Sequence, residues 1–98
     1  MYIIYEEGAM EFEYDEHKSA TNKMKHGINF EEAQELWDSI TVAIPTKSGN
    51  DPERQLVLGI IRDKHWSAII THRGSRIRII SVRRSRKEEE AIYEQLRK

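Results

Sequence analysis

The second half of this chain carries most of its positive charge, and much of that charge is on arginine, the residue type best suited to bind phosphate. Residues 1–53 contain four Lys and twelve Asp or Glu, whereas residues 54–98 contain twelve Lys or Arg and five acids, giving formal charges of −8 and +7. A guanidinium forms bidentate hydrogen bonds to phosphate and stacks on bases, so this asymmetry favours a nucleic-acid ligand. The alternative is that the two halves neutralise each other within the fold.

The other residues capable of chemistry exclude several classes of site. The chain has no cysteine, which excludes thiol catalysis, disulfides and zinc fingers and favours a reducing cytoplasm. Its four histidines show no metal-ligand spacing, and its five glycines are isolated and form no phosphate-binding loop. We therefore expect no metal and no cofactor. Taken alone, Lys25-His26-Gly27 is more typical of charge compensation at a helix end than of catalysis.

Length and composition predict one small soluble domain over residues 1–98. With 34% charged and 38% apolar residues and no long apolar run, the chain lies outside the disordered and membrane classes. The opening MYIIYEEGAM is no signal peptide, because it lacks a basic segment and soon reaches two glutamates. Residues 1–9 are expected to be a peripheral extension, either an extra strand or slack, and Met1 or Met10 could be the native start.

Capping and turn signals predict two helices in the first half. Phe12 to Tyr14 suits a short strand, after which Asp15 as N-cap and Gly27 as C-terminal glycine bound the first helix. Asn29 with Glu32 resembles a capping box, and the apolar residues that follow fall at helical spacing until about Ser39. A β-branched run over residues 39–44 then leads into the one long loop, which begins at Pro45 and contains residues 47–52.

The second half predicts three strands and a closing helix. The strands cover residues 54–62, 65–73 and 76–83 and are joined by the pairs Asp63-Lys64 and Gly74-Ser75. Ser85 with Glu88 is a capping box for the last helix, whose apolar stripe includes Tyr93. This order predicts an α+β fold with an antiparallel meander sheet of about four strands.

The two tight hairpins fix a register that gathers arginines at one end of one sheet face. The register pairs Arg73 with Arg76, Thr71 with Arg78, Arg62 with His65 and Arg54 with Arg73. One face then forms the core and holds Val57, Ile61, Trp66, Ala68, Ile70, Ile77 and Ile79. The opposite face holds Arg54, Arg73, Arg76 and Arg78, with Leu56, Leu58, Ile69 and Ile80 nearer the middle. Arg83 falls on the core face beside Trp66.

Four like charges placed this close repel one another, so the cluster needs an anionic ligand or nearby acids. The ligand interpretation is an RNA phosphate. The alternative is that Asp51, Glu53 or the acids Glu88 to Glu90 fold over this face and pair with the arginines.

The chain resembles the BrnT family of toxins from Phe12 through Tyr93, through motifs that are individually weak but ordered. The first is F-E-Y-D at residues 12–15, followed by Lys18, Asn22, Lys25-His26-Gly27, Phe30 and Ala33. The second is Asp51, Glu53 and Arg54 entering a strand that contains Gly59. The third is R-I-R-I-I-S-V-R at residues 76–83, followed by Glu89 and Tyr93.

This resemblance implies a fold similar to RelE and a cytoplasmic ribonuclease that blocks translation as the toxin of a type II toxin–antitoxin pair. The implied partner is a BrnA-like antitoxin with a ribbon-helix-helix DNA-binding part, which suggests a 2:2 heterotetramer that meets DNA only through the antitoxin. The implied reaction is metal-independent RNA cleavage by the ribose 2′-hydroxyl, which needs a base, an acid and cations.

The resemblance also assigns roles to individual residues. It makes Arg54, Arg78 and Arg83 candidates for binding the phosphate, while Lys25, His26 and Glu53 are candidates for proton transfer. The predicted register selects Arg54 and Arg78 independently and adds Arg73 and Arg76. Two other functions remain open: a non-catalytic module that binds RNA or the antitoxin, and direct DNA binding, which is disfavoured because no helix has a basic face of groove size.

Overall fold

The computed structural model describes residues 2–3, 10–46 and 53–97, which form a mixed β-sheet with helices on both faces. The strands are β1 (Tyr2–Ile3), β2 (Glu11–Glu13), β3 (Thr41–Pro45), β4 (Gln55–Ile61), β5 (Lys64–Arg73) and β6 (Arg76–Arg84). The helices are α1 (Glu16–His26), a 3₁₀ helix (Glu32–Asp38) and α2 (Lys87–Leu96). The strand order is β1-β3-β4-β5-β6-β2. The α+β class is confirmed.

The prediction of about four antiparallel strands is wrong in number and in direction. In the described residues the sheet has six strands, five of them three residues or longer, and β2 runs parallel to β6. The parallel pair joins segments more than sixty residues apart, so no local turn signal announces it. Tyr2–Ile3 pairs with β3, which matches the extra-strand alternative for the N-terminal extension. Residues 1 and 4–9, and loop residues 47–52 with Asp51, lie outside the described residues.

The first helix begins and ends as predicted. The Asp15 side chain accepts a hydrogen bond from the Lys18 backbone N–H at 3.0 Å, and this bond is the main reason that the pKa of Asp15 lies below its usual value. Gly27 has a φ of 80°, and its N–H donates to the Lys23 carbonyl. A side chain at Gly27 would be strained in this left-handed conformation.

The second helix is a 3₁₀ helix, whereas an α-helix was predicted. The capping box at its start is present, with reciprocal bonds of 2.7 and 2.9 Å between Asn29 and Glu32. The buried residues Phe30, Ala33 and Leu36 recur every third position, which is the period of a 3₁₀ helix. The helix packs closely on β4 at Gly59, where an added Cβ would lie 2.8 Å from Leu36 Cδ1. The predicted apolar positions are therefore correct, but they follow the period of a 3₁₀ helix and not that of an α-helix.

The closing helix also begins one residue later than predicted. The carboxylate of Glu89 accepts a hydrogen bond from the Arg86 backbone N–H at 2.9 Å, so Arg86 and Glu89 replace the predicted pair Ser85 and Glu88. The shift matters for function, because it turns Glu89 towards the sheet, where it is buried, and leaves Glu88 exposed.

The β4–β5 hairpin differs from the predicted register by two residues. Its turn is Arg62-Asp63, with φ values of 50° and 67°, so Ile61 pairs with Lys64 and Gln55 pairs with Ile70. The predicted pairs Arg62 with His65 and Arg54 with Arg73 are therefore wrong. A shift of two residues keeps every side chain on its predicted face, because side chains alternate with a period of two. The seven predicted core residues on β4, β5 and β6 are all buried.

A β-bulge in β6 changes the face of one predicted site residue. Up to Ile79 the β5–β6 register is the predicted one, with Arg73 opposite Arg76 and Thr71 opposite Arg78. Ile79 pairs with Ile70, but Ser81 pairs with Ile69, so Ile80 has no partner in β5. The extra residue reverses the alternation beyond it. Arg83 therefore lies on the face opposite the main core, and the prediction that it lies beside Trp66 is wrong.

Helix α1 is fixed to the β6 edge by a single carboxamide. Beyond the short β2, the Asn22 side chain donates to the Val82 carbonyl at 2.9 Å and accepts from the Val82 N–H at 3.2 Å, as a neighbouring strand would. It also donates to the Ile28 carbonyl at 2.8 Å. Because Asn22 is buried, these bonds satisfy backbone groups that solvent cannot reach. They hold α1 against the β6 edge just beyond the bulge.

Candidate nucleic-acid interface

Helix α2 covers part of the sheet face that lies opposite α1 and the 3₁₀ helix, which we call the outer face. Val42, Leu58 and Tyr93 form a second small core there, and the Tyr93 hydroxyl donates to the Ile40 carbonyl at 2.8 Å. The next row across the sheet, Ile44, Leu56 and Ile69, is only half buried. The outer face is therefore closed under α2 and open towards the β5–β6 turn.

Three predicted arginines lie at the open end of the outer face, where strand β2 supplies acids. Arg78 Nη1 donates to Glu13 Oε2 at 2.8 Å, and Arg73 Nη1 lies 3.7 Å from the same oxygen. Arg76 Nε donates to Glu11 Oε2 at 3.1 Å, and both of these side chains are exposed. The arginines are thus partly neutralised, as the alternative interpretation required, but by different acids from those that it named.

Glu13 holds Arg78 in a defined position without using all of its donors. The Arg78 side chain is 31% exposed, and that of Glu13 is 25% exposed. A guanidinium has five N–H donors, so an ion pair made through Nη1 leaves others that a phosphate oxygen can accept from. The contact therefore orients Arg78 and does not consume it.

Arg83 is anchored more firmly than the other arginines. Its Nη1 and Nη2 donate to the two carboxylate oxygens of Glu89 at 2.8 and 2.9 Å, and Ser67 Oγ donates to Glu89 Oε1 at 2.9 Å. The Glu89 side chain is only 9% exposed. The Arg83 guanidinium, helped by the Arg86 N–H and by Ser67, lowers the pKa of Glu89 to about 2, and Glu89 in turn raises the pKa of Arg83.

An open cleft separates Arg83 from the arginines at the turn end. It has a volume of about 270 Å³, and its lining includes apolar residues such as Leu56, Ile69 and Ile92 together with Arg83, Arg86, Glu88 and Glu89. Its floor is the half-buried row of the outer face described above. An apolar floor between cations can accept the base and sugar of a nucleotide while arginines contact its phosphates.

Arg54 and Glu53 lie just before β4. Arg54 is half buried and precedes Leu56 by two residues, so the alternation places it on the outer face. Arg54 belongs to the same row across the sheet as Thr71 in β5 and Arg78 in β6. Arg78 is two strands away from Arg54, which corresponds to about 10 Å. Glu53 is exposed in the turn before it. Arg54, Arg78 and Arg83 therefore share one face. Arg78 pairs with Thr71 and Arg83 pairs with Ser67, so the two arginines are separated by four residues of β5, or about 13 Å along the strand.

Lys25 and His26 lie off the sheet, in a groove between α1 and β6 that we call the α1 groove. The groove has a volume of about 290 Å³ and is lined on the helix side by His17, Lys18, Lys25 and His26, and on the strand side by Ile80 and Ser81. Ser81 pairs with Ile69 and so also belongs to the outer face. The groove therefore meets the arginine-bearing face at the bulge, although the proton-transfer candidates Lys25 and His26 come from a different element than Glu53.

Two acids shape this surface, and only Glu89 was named from the sequence as a possible partner of the arginines. Glu89 pairs with Arg83, which the predicted register had placed on the core face, whereas Glu13 pairs with Arg78 and had no assigned role. The alternation of Glu11, Phe12 and Glu13 could have indicated a strand with acids on one face. Its pairing partner could not be read from it.

In residues 10–46 and 53–97, no group of three or more His, Asp or Glu side chains is arranged to hold a metal ion. Among the described helices, none is long and apolar enough to cross a membrane.

The Arg83–Glu89 pair predicts a pH dependence of folding. Because the pKa of Glu89 is lowered to about 2 in the folded protein, its stabilisation is complete above the usual glutamate pKa and is lost as the pH falls towards 2. We expect the difference in unfolding free energy between wild type and Glu89→Gln to shrink by about 3 kcal/mol over that range, measured by urea denaturation. Glu88→Gln, at the exposed neighbour, should retain the wild-type pH slope. A constant difference between wild type and Glu89→Gln would contradict the pairing.

The comparison with known families agrees with the resemblance seen in the sequence. A family model described as "Ribonuclease toxin, BrnT, of type II toxin-antitoxin system" matches residues 14–89. No curated protein matches the chain. The matched range runs from the residue after β2 to Glu89, so it includes every predicted site residue from Lys25 to Arg83.

Proposed function

The chain belongs to the BrnT family of ribonuclease toxins of type II toxin–antitoxin systems, and from this premise we propose that it is a cytoplasmic, metal-independent endoribonuclease that inhibits translation and growth. The observation that carries the proposal is that Arg54, Arg78 and Arg83 share the outer face, where Arg83 also lines an open cleft. RNA is the substrate, and it lies across this face.

The proposed reaction is attack of a ribose 2′-hydroxyl on the adjacent phosphodiester. The 2′ oxygen loses a proton to a base, the bond to the 5′ oxygen breaks, and an acid protonates that leaving oxygen. Negative charge accumulates on the phosphorane, and guanidiniums held in position before the reaction stabilise it without reorganisation. The ion pairs of Arg78 with Glu13 and of Arg83 with Glu89 support this role.

The remaining candidates take supporting parts in this proposal. Arg73 and Arg76, at the exposed end of the face, contact flanking phosphates. Proton transfer falls to Lys25, His26 and Glu53, and the position of His26 in the α1 groove next to Ser81 favours an acid or base at the sheet edge. A histidine has an intrinsic pKa suited to this task near neutral pH.

A non-catalytic function is the second candidate, and one observation favours it. The arginines at the turn end already have carboxylate partners in the folded chain, so they could hold RNA or an antitoxin without ever contacting a reacting phosphate. Cleavage of RNA by the purified protein separates the two functions.

Replacing the central arginines tests the proposed site. We expect Arg54→Ala and Arg78→Ala to abolish growth arrest in cells, because each removes roughly 2 to 4 kcal/mol of transition-state stabilisation, or about 30-fold to 1000-fold in rate. Arg78→Lys should also be strongly impaired, because lysine lacks the planar fork of donors. Arg97→Ala removes an exposed arginine of α2 and should remain toxic. Full toxicity of both alanine variants, with folding verified by circular dichroism, would falsify this site.

Chelation tests the type of reaction. Digestion of a long RNA by the purified protein should continue in excess EDTA, and the 5′ fragments should end in 2′,3′-cyclic phosphate or 3′-phosphate, because the 2′-hydroxyl is the nucleophile. Arg78→Ala serves as the inactive control. Cleavage that stops on chelation and returns with magnesium would indicate another nuclease mechanism, and absence of any cleavage would favour the binding module.

We propose further that the partner is a BrnA-like antitoxin with a ribbon-helix-helix DNA-binding part. Two toxins and two antitoxins form a heterotetramer, and the complex meets DNA only through the antitoxin. An acidic, partly apolar antitoxin segment suits the cleft on the outer face, since Leu56 and Ile69 are half buried there beside Arg83. Leu58, named from the sequence as part of this surface, is buried beneath Tyr93 and does not contribute.

Hydrogen exchange tests whether the antitoxin masks the outer face. Protection in the complex, compared with toxin alone, should appear in β4 from Gln55 to Leu58 and in the β5–β6 hairpin from Arg73 to Ile80. The affinity should fall with salt, though less than RNA affinity does, because apolar contacts contribute. Protection confined to α1 and α2 would show that inhibition is indirect.

A further inference from the structure

A second cleft continues the basic surface beyond the α1 groove. This cleft, which we call the Trp66 cleft, has a volume of about 350 Å³ and lies between the end of α1, the 3₁₀ helix and the β4–β5 turn. Its lining includes His26, Arg62, Lys64, Trp66 and Arg84. Because His26 also lines the α1 groove, the two clefts meet at this residue and form one path away from the outer face.

The Trp66 cleft contains a planar cation held against an aromatic ring. The guanidinium carbon of Arg84 lies 5.5 Å from the centre of the Trp66 ring. Trp66 is 9% exposed, whereas Arg84 is exposed and lines the cleft. The buried ring therefore holds the guanidinium by a cation–π contact, and the exposure of Arg84 leaves it available to a ligand. Nucleobases stack on arginine guanidinium planes as they do on aromatic rings.

The charges around this platform favour an anion. The two acids that line the cleft already have partners: Glu32 binds Lys23 at 2.8 Å, and Glu35 lies 3.6 Å from Arg62. The Lys23 ammonium is the main reason that the pKa of Glu32 is lowered. In the described part of the chain, Lys64 and Arg84 take part in no ion pair. Their charge is therefore available to a phosphate.

The β4–β5 turn holds the basic rim of the cleft in an unusual backbone conformation. Arg62 has a φ of 50°, in the left-handed region where Gly, Asn or Asp is favoured and arginine is uncommon. Arg62 and Lys64, which precede and follow Asp63 in the sequence, both line the cleft. Stability alone would favour another residue at this position, which suggests a role for the arginine.

We propose that the Trp66 cleft is a subsite for an unpaired nucleotide of the RNA that flanks the scissile bond. The base stacks on Arg84, and Lys64 contacts its phosphate. Trp66 is a positioning residue that holds Arg84 in place through the cation–π contact. The strand must be single, because only an unpaired base can turn its face to a guanidinium in a cleft. This inference rests on the proposed function, because it takes RNA as the ligand. It adds the place at which the RNA leaves the outer face.

Binding of uncleavable RNA tests the subsite. Fully 2′-O-methylated oligonucleotides of two to eight nucleotides lack the attacking hydroxyl, and their affinity can be measured by fluorescence anisotropy. For the wild type we expect a step in affinity at the length that first reaches the Trp66 cleft. Arg84→Ala should bind short oligonucleotides normally and lose this step, weakening binding of longer ones roughly tenfold. Arg84→Lys should lose it as well, because it keeps the charge but not the plane.

The chain offers a matched control. Arg97 is also exposed and lies over an aromatic ring, with its guanidinium carbon 5.4 Å from the Tyr93 ring centre, and it does not line the outer-face cleft, the α1 groove or the Trp66 cleft. Arg97→Ala should therefore retain the full length dependence. Equal loss for short and long oligonucleotides in Arg84→Ala would reduce Arg84 to a general electrostatic contact and overturn the proposal.

Two further outcomes separate this inference from the proposed function. If the wild type shows the length step and Arg84→Ala retains it, the subsite is wrong while RNA binding on the outer face stands. If Arg84→Ala loses antitoxin affinity but no RNA affinity, the cleft belongs to the protein partner and the subsite is again wrong. Absence of RNA binding by the wild type at every length would overturn both.

Discussion

The bulge at Ile80 is the constraint on which both proposed nucleic-acid surfaces depend. One residue without a partner in β5 reverses the alternation of side chains in the rest of β6. Arg83 thereby joins Arg54 and Arg78 on the outer face, while Arg84 lies on the other side over the Trp66 ring. Without the bulge these two arginines would exchange faces, and neither the outer face nor the Trp66 cleft would have its present chemistry.

The bulge is stabilised by what surrounds it. Asn22 pairs with the backbone of Val82 just beyond Ile80, so the edge that β2 is too short to cover is closed by a helix side chain. The same contact opens the α1 groove beside Ile80 and Ser81. A buried amide that satisfies three backbone groups costs little in solvation and fixes the helix at one position along the strand.

The acids that pair with the arginines of the outer face do more than cancel their charge. Glu13 and Glu89 are half-buried and buried carboxylates that each fix one arginine of the outer face, whereas the exposed pair of Glu11 with Arg76 contributes little to stability. An arginine that is already held in place needs little reorganisation when an anion binds. Such preorganised cations are what stabilises the charge of a phosphorane. The charge asymmetry of the chain is therefore only partly neutralised within the fold, as the proposed RNA binding requires.

Local signals in the sequence determined much of this protein. The α+β class, the cap at Asp15, the turn at Gly74, the core residues of β4 to β6 and the family were all predicted correctly, since each depends on residues close in the chain or on an ordered motif. The outer-face positions of Arg54, Arg73, Arg76 and Arg78 followed from the same alternation. Only the tertiary structure decided that β2 pairs in parallel with β6, that Glu13 and Glu89 hold arginines, and that Arg83 and Arg84 face opposite sides. These features depend on contacts between distant segments and on one extra residue in a strand, and side-chain periodicity within a segment carries no information about either.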